Sequence, residues 1–192
     1  MVVRAADDYA MWPSWRRDLV ALAACLALGW LGLRGARVPL LAGADLGFHE
    51  LGHLVAYVLD GVFPWPEVLT AAAGSIFQVA VPLALALYFL AARRDHRGAG
   101  VCLAWAATSA ADVARYIADA PHEALPLIGG KHDWATILGP EHLNRLQDAG
   151  AWAATVDRLA WALFVLALLS SVGGLFVALA GPSHTSATKA WR

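Results

Sequence analysis

Charged side chains are scarce in this sequence. Only 15% of the 192 residues are charged, 59% are hydrophobic, and the mean hydropathy is +0.56. A water-soluble domain usually carries about 25% charged residues, so this composition argues against a soluble fold. The net charge of -1 leaves no excess of basic residues. We therefore expect no nucleic-acid partner.

Cysteine is equally scarce. Cys25 and Cys102 are the two cysteines, and both lie in apolar segments. Two cysteines in such positions do not form the disulfide framework of a small secreted protein. The charges that remain gather in short connections between long uncharged stretches, which is typical of a polytopic membrane protein.

Long apolar segments dominate what is present. A helix needs about 20 apolar residues to cross a bilayer. Five segments approach that length: residues 18–34, 38–60, 68–92, 99–118 and 157–180. We predict an all-α, polytopic transmembrane helical bundle of about five spans (four to six), with residues 1–192 forming a single integral membrane domain. Its surroundings would be the lipid bilayer, and we expect the cytoplasmic membrane of a bacterium.

The first apolar segment has two interpretations. Arg16 and Arg17 precede an apolar run from Leu19 to Leu33, which is the pattern of a signal peptide. No clear cleavage site follows, however, and Trp12 and Trp15 beside the arginines resemble an interfacial anchor. A retained first span is therefore favoured. If five spans alternate in direction, Arg16 and Arg17 lie on the opposite side of the membrane from the arginines that follow the third span.

The one long connection, residues 119–156, is not a plain linker. It contains helix-breaking glycines and prolines, but also Trp134, Ile137 and Leu138, which favour burial. Between Pro140 and Gly150 the pattern predicts a short helix, from Glu141 to Ala149. We therefore expect a structured loop before the last span, and loops of this length are commonly functional.

The second apolar segment contains the motif His49-Glu50-Leu51-Gly52-His53. Residues four apart lie on one helix face, about 6 Å apart along the axis, so the two imidazoles can bind one metal ion. Glu50 lies at the edge of that face, where the general base of HExxH hydrolases is found. Asp45 shares the face, and we expect it to support the ligands without binding the ion. Ionisable residues within a membrane are costly and point to function.

Two further features of the predicted helices concern packing. Gly43 and Gly47 lie on a different face of the second segment and form a small-residue surface suited to close helix packing. In the fourth segment, Asp112 and Arg115 are three residues apart, and an internal salt bridge is their ordinary interpretation. Support of the metal ligands by Asp112 is the alternative.

The sequence resembles the site-2 protease family, the intramembrane zinc metalloproteases. The likeness rests on Phe48-His49-Glu50-Leu51-Gly52-His53 within a hydrophobic helix, followed by the apolar stretch from Ala73 to Pro82, which contains Gly74. It implies zinc as cofactor, hydrolysis of transmembrane or membrane-associated protein substrates, and Glu50 as catalytic base. The family often carries Gly-Pro-x-x-Asn in the corresponding span, where the Asn helps hold the substrate. Gln78 stands at that position and Ser75 at the Pro, which implies substrate binding by Gln78. A helix-to-helix hydrogen bond from Gln78 is the alternative.

Two histidines leave zinc short of its usual three protein ligands. The family uses an aspartate of a later Asp-Gly motif, and Asp60-Gly61 matches that spelling. Seven residues along a continuous helix place Asp60 about 10 Å from His53, too far to share the ion, so Asp60-Gly61 is interpreted as the helix end. The better source is the loop segment Gly129-Gly130-Lys131-His132-Asp133-Trp134, in which His132 or Asp133 could serve. The family's preference for aspartate implies Asp133, with His132 as alternative.

Several interpretations compete with this one. His122 and His142 are the other histidines of the loop, and we expect both to be solvated. A membrane metal-binding or transport protein without hydrolysis would also need metal ligands, but it predicts Met-rich or His-rich entry segments that the sequence lacks. A catalytically silent relative that binds partner helices is the third possibility. The sequence therefore favours a membrane-embedded zinc metallopeptidase.

Overall fold

The structure is a computed structural model that describes residues 14–36, 38–62, 66–127 and 130–180. Trp12, predicted to anchor the first span, and Gly129, in the predicted ligand loop, lie outside these residues. All regular secondary structure in the described part is helical, as predicted. The helices are α1 (Ser14–Leu33), α2 (Pro39–Asp60), α3 (Glu67–Ala91), α4 (His96–Asp119), α5 (Asp133–Leu138) and α6 (Ala149–Ala180), with a 3₁₀ turn at Leu146–Asp148.

Helix α4 is the centre of the bundle and packs against α1, α3 and α6. Most of its buried side chains are alanines, which let neighbouring helix backbones approach closely. Gly100 shows how close this approach is, because a Cβ there would lie 2.2 Å from the Ser171 hydroxyl of α6. A helix of small residues is thus surrounded by three other helices.

The helix directions differ from five alternating spans. Asp18, at the start of α1, lies 3.7 Å from Arg97 at the start of α4. Near the end of α1, the Gly32 carbonyl accepts a hydrogen bond from Arg115 of α4. These contacts make α1 parallel to α4. Cys25 contacts Ser171 and Gly29 contacts Phe164, so α1 is antiparallel to α6, whereas alternation of five spans would make these two helices parallel. The start of α1 therefore lies at the same end of the bundle as the α3–α4 connection, which is not the arrangement that five alternating spans would give.

Helix α2 explains this difference. It begins just after α1 has reached the level of Arg115, and it ends six residues before α3 starts at that same end. The end of α1 and the start of α3 thus lie at the same end of the bundle, because Gly32 contacts Arg115 and Ala71 packs with Ile117. Helix α2 therefore does not carry the chain from one end of the bundle to the other. It is held against α3 where Gly52 meets the Ala73 carbonyl, at 2.3 Å from a Cβ built on the glycine.

The outer surface of the bundle is apolar. Two stretches of the described residues, Glu67–Ala91 and Leu146–Ala180, are long and apolar enough to cross a membrane. Large side chains project from them, including Leu87, Leu169 and Phe176 at 65%, 63% and 69% exposure. The other long helices are more polar because they carry Arg16 and Arg17 (α1) or the ionisable residues of the site (α2 and α4).

The predicted small-residue packing surface of α2 is not used in the described part of the chain. A Cβ added at Gly43 or Gly47 would meet nothing within 4 Å. Leu40 and Leu54, on the same side of α2, are 85% and 59% exposed. The prediction of close packing at these glycines was therefore wrong within this molecule.

The loop before α6 is structured, as predicted, but its helix lies elsewhere. The helix is α5, in which Ile137 and Leu138 are buried against Ala71 and Ile117. The prediction of a helix from Glu141 to Ala149 was wrong. Asn144 has a positive φ of 49° and donates its backbone N–H to Gly139, which turns the chain back on α5.

Helix α6 then begins at Ala149, so Gly150 lies inside a helix. The connection between α4 and α6 therefore ends at Asp148, whereas the predicted connection ran from 119 to 156.

Candidate metal centre

Three side chains from two helices converge on one point. The Nε2 atoms of His49 and His53 on α2 lie 3.1 Å apart. Oδ2 of Asp133 on α5 lies 3.0 Å from the first and 3.2 Å from the second. The side chains are 13%, 17% and 16% exposed, so the cluster is largely shielded from solvent. Such a group of donor atoms is suited to holding a metal ion.

Helix α5 positions Asp133 in its first turn. Gly130 has a φ of +77°, a conformation that glycine adopts without strain, and it precedes the helix. Nδ1 of His132 accepts a hydrogen bond from the Ala135 N–H and so caps the helix. The Asp133 N–H donates to the hydroxyl of Tyr116 on α4 at 3.0 Å. The carboxylate is therefore fixed from both its helix and the central helix of the bundle.

The outer nitrogens of the two imidazoles also have partners. His53 Nδ1 lies 3.0 Å from the Thr70 carbonyl oxygen, which can only accept, so this nitrogen carries the hydrogen. His49 Nδ1 lies 3.2 Å from Oε1 of Gln78. Histidines that bind metals almost always donate their other ring N–H to an oxygen in this way. Both rings thus direct an Nε2 lone pair toward Asp133.

The donor set fits a divalent cation. Two Nε2 lone pairs and a carboxylate oxygen about 3 Å apart repel one another unless positive charge lies between them. A proton can join one pair of atoms, whereas a metal ion can bind all three. Two imidazole nitrogens and one carboxylate are a ligand set that zinc uses in catalytic sites.

Gly74 completes the wall behind the two histidines. A Cβ at this position would lie 2.6 Å from Nε2 of His49 and 2.6 Å from Nε2 of His53. The sequence alone indicated no role for Gly74 in the metal centre. The signal was a lone glycine in a helix that is otherwise rich in larger apolar residues, which often marks a close approach.

Glu50 lines a cleft of about 590 Å³ together with His49, His53 and Asp133. Its side chain is exposed within this opening, whereas the histidines are partly buried. Apolar residues form part of the wall: Ala42, Leu46, Val113, Leu125, Pro126 and Leu127. The cleft therefore combines a metal-binding group, a carboxylate and an apolar surface.

No protein-family model, curated protein or solved structure matches this chain. The likeness to site-2 proteases accordingly rests on the motif residues quoted above. A function is inferred from the chemistry of the cleft.

The residues weighed as alternative ligands lie outside the convergent group. His132 is fully buried, stacks on Tyr116 at 4.1 Å between ring centroids, and directs Nε2 toward Asp119 at 3.5 Å. Burial lowers the pKa of His132, although Asp119 opposes that shift. Asp60 is the last residue of α2, as expected for a helix end.

His122 is exposed, whereas His142 is partly buried and pairs with Glu67 at 3.5 Å.

The residues predicted to assist the site fall into two groups. In the first group, Gln78 contacts His49 and donates a hydrogen bond to Asp112. Asp112 also forms the expected salt bridge with Arg115, at 3.1 Å. Asp45 is buried and accepts hydrogen bonds from Trp105 and Ser109, both at 2.8 Å. Asp45 thus links α2 to the middle of α4.

Proposed function

We propose that this protein is a membrane-embedded zinc metallopeptidase, similar to site-2 proteases, that hydrolyses peptide bonds of transmembrane or membrane-associated proteins. The observation that carries the proposal is the convergence of His49, His53 and Asp133 beside Glu50 in one cleft. Nε2 of each histidine and a carboxylate oxygen of Asp133 would hold the ion. When bound, zinc supplies a Lewis acid that lowers the pKa of water to about 7 and polarises a carbonyl group.

Glu50 is the proton carrier in this proposal. It follows His49 on α2 and faces the cleft, so a carboxylate lies beside the metal-binding group without belonging to it. Glu50 accepts a proton from the attacking water and returns it to the departing amine. Tyr116 keeps Asp133 in place through two contacts, since its hydroxyl lies 3.0 Å from the Asp133 nitrogen and 3.4 Å from Oδ2.

The shape of the cleft favours an extended apolar peptide. Leu46 on α2 and Leu125 to Leu127 after α4 face the same opening as Glu50. A helical substrate hides its carbonyl groups in internal hydrogen bonds. It would therefore unwind over a few residues before a carbonyl reaches the centre.

Several features of the bundle support a membrane location, which we propose to be the bacterial cytoplasmic membrane. The arginine side chain of Arg16 lies 5.3 Å from the ring of Trp15, and that of Arg34 lies 4.2 Å from the ring of Trp30. Arg16 and Arg34 are separated by about 27 Å along a helix at about 1.5 Å per residue, close to the thickness of a hydrocarbon core. Such Trp and Arg pairs are typical of the two membrane interfaces. In this arrangement α1, α3, α4 and α6 cross the membrane and α2 brings the histidines in from one side.

The first experiment measures metal content. Protein purified in detergent should contain about one zinc per chain by mass spectrometry, and His49→Ala or His53→Ala should lose it. Wild-type zinc content in both variants would overturn the proposed centre.

The second experiment measures cleavage of a library of single-span transmembrane peptides in the same micelles. Glu50→Gln should retain zinc and lose at least about 100-fold in turnover, because an amide cannot accept the proton. Glu67→Gln is the matched control, since Glu67 lines the same cleft and should be dispensable. Zinc binding with no cleavage by the wild-type protein would favour the metal-transport alternative, which metal flux into vesicles would test.

A further inference from the structure

Gln78 on α3 is buried between two charged or polar partners, with 5% of its surface exposed. Its side-chain nitrogen donates to Oδ2 of Asp112 at 3.3 Å. Its side-chain oxygen lies 3.2 Å from Nδ1 of His49. The amide therefore connects a carboxylate on α4 with a histidine on α2.

Asp112 determines which way this amide points. A carboxylate only accepts hydrogen bonds, so the NH₂ group of Gln78 must face Asp112. The oxygen of the amide then faces His49. Asp112 is itself held, because its other oxygen accepts a hydrogen bond from Arg115, which also donates to the Gly32 carbonyl.

The orientation of the amide in turn determines the tautomer of His49. An amide oxygen accepts, so Nδ1 of His49 must carry the hydrogen and Nε2 must carry the lone pair. Nε2 is the atom that faces His53 and Asp133. With the opposite tautomer, an N–H would point at the place where the ion binds.

We propose that Gln78, oriented by Asp112, is a positioning residue that fixes the Nδ1–H tautomer of His49 and so presents Nε2 to the metal. This inference rests on the proposed metal centre but not on peptidase activity. It differs from the substrate-binding role that the site-2 protease resemblance implies for Gln78. Burial and the two hydrogen bonds hold the Gln78 side chain between Asp112 and His49.

The test is the zinc affinity of purified protein, measured by competition with a chromophoric chelator. Removal of a group that holds a metal ligand typically costs about 10- to 100-fold in affinity, so Gln78→Ala should weaken zinc binding by that factor. Gln147→Ala is the matched control, because Gln147 is the other glutamine in the chain and is exposed. The visible spectrum of the cobalt-substituted protein should change with Gln78→Ala and not with Gln147→Ala.

A double substitution separates positioning from simple loss of packing. Gln78→Glu alone places two carboxylates side by side and should weaken binding, although a carboxylate can still accept from His49. Adding Asp112→Asn supplies an amide N–H for the new carboxylate and restores the chain of hydrogen bonds. The double variant should return to within about threefold of wild-type zinc affinity, which is about 0.65 kcal/mol at about 1.4 kcal/mol per factor of ten.

Each outcome has a distinct meaning. A wild-type protein that binds no zinc would overturn the proposed function and this inference together. Wild-type zinc affinity in Gln78→Ala would overturn this inference alone. If that variant kept its affinity and instead had a raised KM for a cleaved peptide, Gln78 would be a substrate-binding residue. Failure of the double variant to recover, with a wild-type cobalt spectrum in Gln78→Ala, would also contradict the positioning role.

Discussion

Replacement of Gly74 by alanine tests the geometry of the centre with a single methyl group. The added Cβ would lie 2.6 Å from both ligand nitrogens, whereas ordinary van der Waals contacts begin near 3.4 Å. The methyl therefore overlaps each nitrogen by about 0.8 Å, which is 3.4 minus 2.6. Metal sites tolerate deviations of about 0.2 Å in their ligand distances. The overlap is thus several times larger than a bound ion could accept.

The histidine rings have little room to retreat. His53 is held by the Thr70 carbonyl and His49 by Gln78. Helix α3 itself lies against α2 at the contact between Gly52 and Ala73. In the metal-free protein a ring can rotate at the expense of one hydrogen bond, but a bound ion fixes both rings. The strain should therefore appear mainly in the metal-bound state.

Overpacking of this kind costs about 1–3 kcal/mol. At about 1.4 kcal/mol per factor of ten, zinc affinity should fall by about 5- to 150-fold in Gly74→Ala. The assay is chelator competition, with thermal unfolding of the metal-free protein measured in parallel. Gly43→Ala and Gly47→Ala are matched controls on α2, because a methyl there meets nothing within 4 Å. Wild-type zinc affinity in Gly74→Ala would refute the placement of both histidines against this glycine.

Three further predictions concern the third ligand, the loop and a helix start. Loss of a buried charged partner costs about 3–5 kcal/mol, so Asp133→Asn should weaken zinc binding by about 100-fold to a few thousand-fold. Asp60→Asn should leave zinc binding unchanged. The reverse result in chelator competition would place the third ligand on α2. Trp134→Phe removes the hydrogen bond to Ser75 and should lower the melting temperature while retaining most zinc; an unchanged melting temperature would show that this bond does not hold α5. Asp95→Ala removes the cap on the Arg97 N–H and should cost about 0.5–2 kcal/mol of stability. Asp95→Asn should cost less, because it keeps the cap and loses only the ion pair with Arg97. Burial would raise the pKa of Asp95, but hydrogen bonds with Arg97 lower this pKa overall. The ionised carboxylate should therefore stabilise the folded protein above about pH 4, and this stabilisation should decline as the pH falls further.

The histidine pair could be found from the sequence because its geometry is local. Four residues on a helix fix the relative positions of His49 and His53 whatever surrounds them. The exclusion of Asp60 as a ligand was predictable for the same reason, since the distance along a helix depends only on residue count. The loop pair His132-Asp133 stood out through its neighbouring glycine and tryptophan, but the residues alone did not choose between its two members.

Residues that act across helices could not be assigned in this way. Gly74, Thr70 and Tyr116 reach the centre only because α3 and α4 pack beside α2, and no spacing in the sequence encodes those contacts. The direction of α1 was also out of reach, because alternation assumes that every apolar helix crosses the whole bundle. Helix α2 does not, and its polar face explains why it instead lies against α3 and α4.

The sequence by itself determined that the chain is helical and apolar and that one helix presents two imidazoles beside a carboxylate, because composition and helical period are properties of neighbouring residues. Only the tertiary structure decided that Asp133 meets those imidazoles, that Gln78 and Asp112 hold one of them, and that Gly74 leaves space for both. These relations join residues up to 84 positions apart. They depend on how helices pack and where a loop folds back, which the buried contacts of the entire bundle determine together.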